Sequence, residues 1–297
     1  MKNYLLGIVI LGVLAGCKGK QKTKQAKVGA KPKIELTAEV PDLANCESVV
    51  YDKKRGVLYV SMQAGAEPGD GGVAKVSLDG KVVEPSFVSG LNDPKGICLL
   101  NDKLYITDVT ELVEFDLDAG SVSRRFKGEG AEYFNDVASD REGNLYVADM
   151  FISAIYKLDK EGNFEQWMHT PELENPNGLL ADKDELYLAS WGKFDDKDPI
   201  HAPQAHFIKL NLKTKKITHI TEGLVGNLDG IQKKSKNEFL LTDWITGKLL
   251  KMTKDGKVSD FMQSEQSTGD FLYLADKKQL VLPVGNKNML RIYKVAE

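Results

Sequence analysis

Acidic and amide side chains recur along the sequence, each just before a short apolar segment, at intervals of about 40 to 52 residues. The recurring set is Glu47, Asp93, Asn135 with Asp136, Asn177, Asp229 and Asp270. Their oxygens are the ligands that hard divalent cations prefer, and a carboxylate can also accept a proton from water during hydrolysis. Such chemistry requires a fold that brings these distant residues together.

Each recurring residue opens a repeat of one pattern. An apolar strand, a charged turn and a second strand follow it, and the second strand is centred on Leu-Tyr or an equivalent pair, as in Leu104-Tyr105. Two more strand-like segments complete the repeat, so four strands occupy the length of one propeller blade. Six repeats predict an all-β, six-bladed β-propeller over residues 34–297, with four-stranded antiparallel blades. Residues 34–40 are expected to complete the last blade and close the ring.

In a propeller, the inner strands begin at the same end of the central channel, so the recurring residues are expected to surround its axis. The ring would hold five carboxylates and two amides, with no Lys or Arg in it. Crowded carboxylates must protonate, hydrate or bind a cation. Oxygen ligands without imidazole or thiolate favour one divalent cation, Ca²⁺ first, with Mg²⁺, Mn²⁺ or Zn²⁺ as alternatives.

A second interpretation applies to each of these residues alone. Asp and Asn at strand starts often bond to their own backbone and shape a turn. Asp93 and Asp270 are expected to have this role. Glu is a poor turn former, so the ligand role is favoured for Glu47.

Residues 45–290 resemble the regucalcin/gluconolactonase family, which includes senescence marker protein and luciferin-regenerating enzyme. Four motifs carry the resemblance, in the family's order and at blade-like spacing. They are Glu47-Ser48-Val49-Val50-Tyr51-Asp52, Asn135-Asp136-Val137-Ala138-Ser139-Asp140, Asn177-Gly178-Leu179 and Asp229-Gly230-Ile231.

The resemblance implies that Glu47, Asn177 and Asp229 ligate one metal, with Asn135 or Asp136 beside it or joining it. It also implies that the metal polarises a lactone carbonyl and that Asp229 helps to activate water. Family members that hydrolyse sugar lactones have an Arg two residues before the Asn-Asp pair, where it holds the substrate. Tyr133 stands at that position here, which is a departure from the family pattern. Tyr133 and Asn135 are expected to contact the substrate.

Two long loops interrupt blades one and four, at residues 64–72 and 192–205. Both are expected on the face where the inner strands begin, as a lid or a wall for a substrate. Trp191 and Trp244 follow second strands at matching positions, and either line the mouth of the pocket or pack between blades. His201 and His206 are expected to hydrogen-bond within the loop.

Two functions follow from these features. The first is a metal-dependent hydrolase of a lactone or related ester, with a small-molecule substrate. The alternative is a non-catalytic propeller that binds a protein or glycan. Residues from 34 onward contain 32 basic and 43 acidic residues, a net charge of −11, which argues against nucleic acid as a partner. The sequence contains no Gly-x-Ser-x-Gly motif, which argues against a serine hydrolase.

The N-terminal residues predict export and a lipid anchor. An apolar segment follows Lys2 and ends in Leu14-Ala15-Gly16-Cys17, which is typical of a lipoprotein signal peptide over residues 1–17 with Cys17 as the lipidated residue. Residues 18–33 contain seven Lys and no acidic residue, and predict a flexible tether. The expected location is the periplasm or the cell surface, with the membrane as a partner through the lipid.

Replacing Cys17 by Ser is expected to abolish lipid labelling and to release soluble protein, because the tether would then have only its charge to hold it at a membrane. Metabolic labelling with a fatty acid, followed by membrane fractionation, measures both effects. A variant that still carries the label and sediments with membranes would contradict the lipoprotein assignment.

Overall fold

A computed structural model describes residues 32–65, 67–194 and 197–296. The predicted signal peptide and Cys17 lie outside the described residues, as does the tether up to residue 31. Six four-stranded antiparallel sheets make up the described chain, and their inner strands are neighbours around a ring. The six-bladed propeller predicted from the repeats is therefore confirmed. No helix among the described residues is long and apolar enough to cross a membrane.

The first three blades follow one another along the chain, each with its strands in sequence order from the channel outward. Blade one contains β2 (Cys46–Asp52), β3 (Val57–Met62), β4 (Gly71–Ser77) and β5 (Val82–Leu91). Blade two contains β6 (Pro94–Leu100), β7 (Lys103–Asp108), β8 (Glu111–Asp116) and β9 (Ser121–Lys127). Blade three contains β10 (Phe134–Ser139), β11 (Leu145–Asp149), β12 (Ala154–Leu158) and β13 (Phe164–His169).

The last three blades continue this order, with short 3-10 helices in the connections at Pro171–Leu173, Pro199–His201 and Gly285–Lys287. Blade four contains β14 (Pro176–Asp182), β15 (Glu185–Ser190), β16 (Phe207–Asn211) and β17 (Ile217–His219). Blade five contains β18 (Leu228–Lys233), β19 (Glu238–Asp243), β20 (Lys248–Thr253) and β21 (Val258–Gln263). Blade six contains β22 (Leu272–Leu274), β23 (Gln279–Val284), β24 (Met289–Ala296) and β1 (Lys33–Val40).

The N-terminal strand closes the ring. β1 pairs antiparallel with β24 from Lys33 opposite Ala296 to Val40 opposite Leu290, as the sequence predicted for residues 34–40. The sixth sheet is therefore built from both ends of the propeller sequence. A parallel bridge between Ser48 and Asp270 joins it to the first blade at the channel.

The core lies between neighbouring blades, where the alternating apolar side chains of one sheet meet those of the next. At the closing junction, Leu58 and Val60 of β3 pack in one buried cluster with Val281 and Ile292 of blade six. Because this cluster joins the first and last blades, packing there holds the ring shut and keeps the inner strands at fixed positions around the channel.

The Ile292→Ala variant should lose about 2–5 kcal/mol of unfolding free energy, because it leaves a cavity in this closing cluster. Ile292 is 1% exposed, whereas Leu36 on β1 of the same blade is 47% exposed. The matched Leu36→Ala control should change stability by no more than about 0.5 kcal/mol. Denaturant unfolding measures both variants, and equal losses would contradict the closing role of this cluster.

Candidate metal centre

Backbone irregularities at the start of the inner strands position the candidate residues. Pairing with the second strand shifts register at the same point in five blades, and the residues inside the shift are Glu47-Ser48, Lys95-Gly96, Asn135-Asp136, Asn177 and Asp229-Gly230. Bulges of this kind redirect side chains and are common next to functional sites. Here they occur at the recurring residues singled out from the sequence, with Lys95 in place of Asp93 in blade two.

Glycines at these strand starts allow the inner strands to approach one another. A Cβ atom on Gly178 would lie 1.9 Å from the carbonyl oxygen of Asp229, and one on Gly269 would lie 2.4 Å from that of Glu47. Both distances are far inside van der Waals contact, so no other residue fits without moving the backbone. The Asn-Gly and Gly-Asp pairs in the sequence therefore reflect close packing at the channel as well as turn formation.

Three carboxylates meet at the channel. Glu47, Asp229 and Asp270 each offer an oxygen within 4.8 Å of the others, and their exposed fractions are 5%, 3% and 8%. Within the described residues, five buried oxygens at this centre have no hydrogen-bond partner: Glu47 Oε2, Asn135 Oδ1, Asn177 Oδ1, Asp229 Oδ1 and Asp270 Oδ2. Buried acceptors without donors are costly, and oxygen sets of this kind are the ligands that Ca²⁺ and related cations take.

Burial and mutual repulsion make these carboxyls weak acids. Burial, with the charge of Asp229 added, raises the pKa of Glu47 to about 8. Burial raises the pKa of Asp229 to about 7, although the charge of Lys95 opposes the shift. The pKa of Asp270 lies well above its usual range, because burial acts together with the charges of Asp136, Glu47 and Asp229. A cation at this point would lower all three.

Asp136 lies beside the centre but is held differently. Its Oδ1 accepts the backbone N–H of Val137 and its Oδ2 accepts that of Leu179, both at 2.6 Å. These bonds tie β10 to β14, next to the Asn177 strand start. Burial nevertheless raises the pKa of Asp136 to about 7. Asp136 therefore holds the starts of β10 and β14 together. Ligation of a metal by this residue stays a prediction.

The expectation that Asp270 shapes a turn is wrong, because its carboxylate is buried at the centre with one oxygen unpartnered. The expectation rested on the tendency of Asp at strand starts to bond to its own backbone. The position of Asp270 as the sixth recurring residue was the signal for a central role. Asp93 does not act as a simple turn former either, since its carboxylate accepts a hydrogen bond from the hydroxyl of Tyr133.

The expectation that no basic residue would line the ring is wrong, because Lys95 lies there. It lines the same cavity as Glu47, and its Nζ donates to Gln63 Oε1 at 2.9 Å and lies 5.2 Å from the centre of the Tyr133 ring. Burial favours the neutral amine, but Tyr133, Glu47 and Asp93 outweigh it and raise the pKa of Lys95 to about 12. A permanent positive charge therefore stands at the edge of the carboxylate cluster.

The centre opens into a cavity of about 430 Å³, a size typical of small-molecule sites. Seven of the residues predicted from the sequence line it: Glu47, Tyr133, Asn135, Asn177, Trp191, Asp229 and Trp244. Phe194 and Ile200 from the blade-four loop add to its wall, as expected of that loop. The blade-one loop borders a neighbouring cavity through Gly65, Glu67 and Pro68. This loop ends at residue 70, because β4 begins at Gly71.

The histidines of the blade-four loop have separate partners. His201 Nδ1 lies 2.7 Å from Asp198 Oδ1 within the loop, as predicted, but His206 Nδ1 lies 2.8 Å from Glu174 Oε1 outside it. His206 also stacks on His219 with an angle of 15° between the rings. A metal must lie near the plane of each imidazole that binds it. Because the rings of His206 and His219 are stacked and nearly parallel, no nearby point lies in both planes, which disfavours a metal bound by both rings. Asp195 and Asp196 of this loop lie outside the described residues.

Comparisons with known proteins bear on the fold. No family model and no curated protein matches the sequence. Among solved structures, a gluconolactonase from Xanthomonas campestris has a TM-score of 0.65 at 14% identity, over 90% of this chain and 96% of that one. Luciferin-regenerating enzyme has a TM-score of 0.63 at 12% identity, over 90% and 95%. An auxiliary nutrient binding protein from Bacteroides thetaiotaomicron has a TM-score of 0.67 at 11% identity, over 90% and 78%.

These likenesses confirm the resemblance to gluconolactonase-like proteins at the level of the fold. At identities between 11% and 14%, the fold is what they show. These similar proteins include a gluconolactonase and a nutrient binding protein, which illustrates that one propeller fold hosts several functions. Function must therefore be argued from the side chains at the channel.

Divalent cation should stabilise the protein more at pH 8 than at pH 5. The folded, metal-free carboxyls have raised pKa values, about 8 for Glu47 and about 7 for Asp229, against about 4 when unfolded. Their protonation therefore stabilises the metal-free fold below pH 4, and this contribution is lost as the pH rises through 7 to 8. At pH 5, a cation must displace protons from both carboxyls, whereas at pH 8 most have left Asp229 and about half have left Glu47.

Denaturant unfolding with chelator and with added Ca²⁺, at both pH values, measures this difference. The apparent Ca²⁺ affinity should be at least about tenfold weaker at pH 5. Asp270→Asn should weaken the stabilisation at pH 8, whereas Asp140→Asn, whose carboxylate caps a turn at the far end of β10, should leave it intact. A Ca²⁺ effect that is the same at both pH values would argue against these carboxyls as the ligands.

Proposed function

We propose that the protein is a divalent-metal-dependent hydrolase of a lactone or related ester. The observation that carries this proposal is the group of five unpartnered buried oxygens, four of them from residues that line a cavity large enough for a small molecule. A purely structural centre would not need such a cavity. The gluconolactonase likeness of the fold is compatible with the proposal, since the motifs that carry the resemblance supply four of the five oxygens.

Glu47, Asn177 and Asp229 would hold the metal, with Asn135 and Asp270 adding oxygen ligands. Ca²⁺ suits this set best, because all five ligands are hard oxygens and neither thiolate nor imidazole is among them. When bound, a divalent cation supplies Lewis-acid polarisation of an ester carbonyl. Three carboxylates against a charge of +2 would leave an excess of one negative charge, and Lys95 stands close enough to offset it.

Asp229 is the residue proposed to activate water. Its Oδ1 is free of hydrogen bonds, and its carboxyl lines the cavity. In the reaction, the carboxylate accepts a proton from water while the water oxygen bonds to the carbonyl carbon. The same proton can then pass to the departing alkoxide as the ring ester bond breaks, so lactone and water give one hydroxy acid. A general base in this position typically contributes about 10² to 10⁴ in rate.

Tyr133 and Lys95 would orient the substrate. Tyr133 lines the cavity at the position where sugar-lactone hydrolases of the family have an Arg, and its hydroxyl is committed to Asp93. Lys95 supplies a cation from the neighbouring blade instead, with its Nζ close to the Tyr133 ring. A positive charge for a substrate carbonyl or a product carboxylate would therefore come from Lys95 on β6, and not from the position of the family's Arg just before β10.

The second candidate is a non-catalytic propeller that binds a protein or glycan ligand outside the cytoplasm, held to the membrane by lipid on Cys17. The commitment of Tyr133 to Asp93 favours it, because the substrate-holding Arg of the family is absent. One structural neighbour is an auxiliary nutrient binding protein, which is compatible with a binding role for this fold. In that case the cation would stabilise the channel and take no part in chemistry.

Asp229→Asn should reduce lactone hydrolysis by at least about a hundredfold, because one change removes a ligand charge and the proposed base. Asp140→Asn, the control on the opposite face, should change turnover by less than about twofold. A panel of lactones, assayed with chelator and after metal is restored, measures both. Turnover that survives chelation would contradict the metal requirement, and tight metal binding without turnover of any lactone would favour the binding protein.

A further inference from the structure

The two sides of the cavity differ in polarity. The residue after the second strand of each blade occupies an equivalent position at the channel mouth. In blades three, four and five it is Met150, Trp191 and Trp244, whereas in blades one, two and six it is Gln63, Val109 and Gly285. At its mouth, the cavity is therefore apolar over these three consecutive blades, although Asn135, Asn177 and Asp229 of the same blades also line it. The other three blades contribute Asn45, Gln63, Lys95 and Ser267 to its lining.

The apolar side is a continuous series of rings, called the aromatic wall here and formed by Tyr133, Phe151, Phe194, Trp191 and Trp244. Tyr133 stacks on Phe151 with ring centres 4.6 Å apart, and Phe151 stacks on Phe194 at 4.5 Å. Phe194 meets Trp191 edge-on at 6.5 Å, and Trp191 lies 5.6 Å from Trp244. Neighbouring rings thus support one another in fixed orientations.

Core packing accounts for only part of this wall, since Trp191 is buried in one cluster with Met150 and Ala202, and Phe194 and Trp244 pack against that cluster. Phe151 is 38% exposed and Ile200, which borders the wall, is 53% exposed, and both are among the most exposed large apolar residues of the described chain. Two other residues of the lining, Phe194 and Ile200, come from the long blade-four loop rather than from a strand. Exposed apolar groups concentrated in one cavity usually mark a ligand surface.

The neighbours of the wall indicate what kind of ligand it fits. A sugar ring that stacks on an aromatic side chain keeps its hydroxyls outward, where they need polar partners. Here Met150 and Ile200 border the rings, and neither offers a strong hydrogen-bond partner. Hydroxyls placed there would lose hydrogen bonds to water without replacement, whereas an aryl or alkyl group would lose none.

We propose that the aromatic wall is a subsite for the aryl or alkyl part of an apolar lactone, which makes sugar lactones poor substrates. The reacting group is taken from the hydrolase function proposed above, so this inference rests on that function. The lactone carbonyl faces the carboxylate centre, the apolar part lies against Phe151 and Phe194, and Lys95 stands at the Tyr133 end of the wall.

Hydrolysis of four lactones by the metal-loaded protein tests the subsite. Dihydrocoumarin and γ-decalactone present aryl and alkyl groups, glucono-δ-lactone presents hydroxyls, and γ-butyrolactone presents neither. The kcat/KM values for the first two should exceed that for glucono-δ-lactone at least tenfold. Phe151→Ala and Phe194→Ala should raise KM for dihydrocoumarin at least fivefold and leave kcat/KM for γ-butyrolactone within twofold. Phe151→Leu, which keeps bulk without a ring, should lie between.

Val83→Ala is the matched control, since Val83 is 56% exposed on β5, away from the cavity, and it should change nothing. If glucono-δ-lactone were hydrolysed as efficiently as dihydrocoumarin, the proposed subsite would be wrong, whereas the proposed hydrolase function would stand. Calorimetric binding of the lactam 3,4-dihydroquinolin-2-one separates the two claims. Lactam binding that Phe151→Ala weakens supports the subsite even if no lactone is hydrolysed. Undiminished binding to that variant would overturn it.

Discussion

Crowding of buried carboxylates at the channel axis is the constraint on which the rest of this structure depends. Glu47, Asp229 and Asp270 come from the first, fifth and sixth blades, and ring closure alone brings them within 4.8 Å of one another. Unpaired charges so close together and so deeply buried are strongly unfavourable. The raised pKa values express that cost, and a divalent cation would relieve it. The pairing of β1 with β24 thus does more than close a sheet, because it holds the charges in place.

The acidic residues at the channel fall into two groups, according to whether both of their carboxylate oxygens accept hydrogen bonds. Both oxygens of Asp136 accept hydrogen bonds from backbone N–H groups, those of Val137 and Leu179, and these bonds hold adjacent inner strands together. Asp93 accepts the hydroxyl of Tyr133 at the edge of the cavity. Glu47, Asp229 and Asp270 each keep an oxygen unpartnered. The same residue type at equivalent points of different blades therefore holds neighbouring strands together in one case and leaves a buried oxygen unpartnered in another.

Much of this arrangement could be predicted from the sequence. The repeat of strand pairs gave six blades and the closing role of residues 34–40, because propeller blades have a fixed strand order and length. The side chains that neighbouring blades supply were harder. Lys95 follows a proline at the start of β6, and no pattern showed that its long side chain reaches the Glu47 side of the cavity. Phe151 and Phe194 lie in connections whose path depends on tertiary contacts, so only Tyr133, Trp191 and Trp244 of the aromatic wall were predicted.

The position of a bound cation decides whether the buried oxygens at the channel form a metal centre. Crystals grown with Mn²⁺, with diffraction data collected near its absorption edge, would locate the ion by its anomalous signal. One strong peak is predicted, within about 2.5 Å of oxygens from Glu47, Asn177 and Asp229, with Asp270 and Asn135 nearby. A channel without a peak at saturating Mn²⁺, or a peak held only by surface carboxylates, would contradict the claim that these buried oxygens form a metal centre.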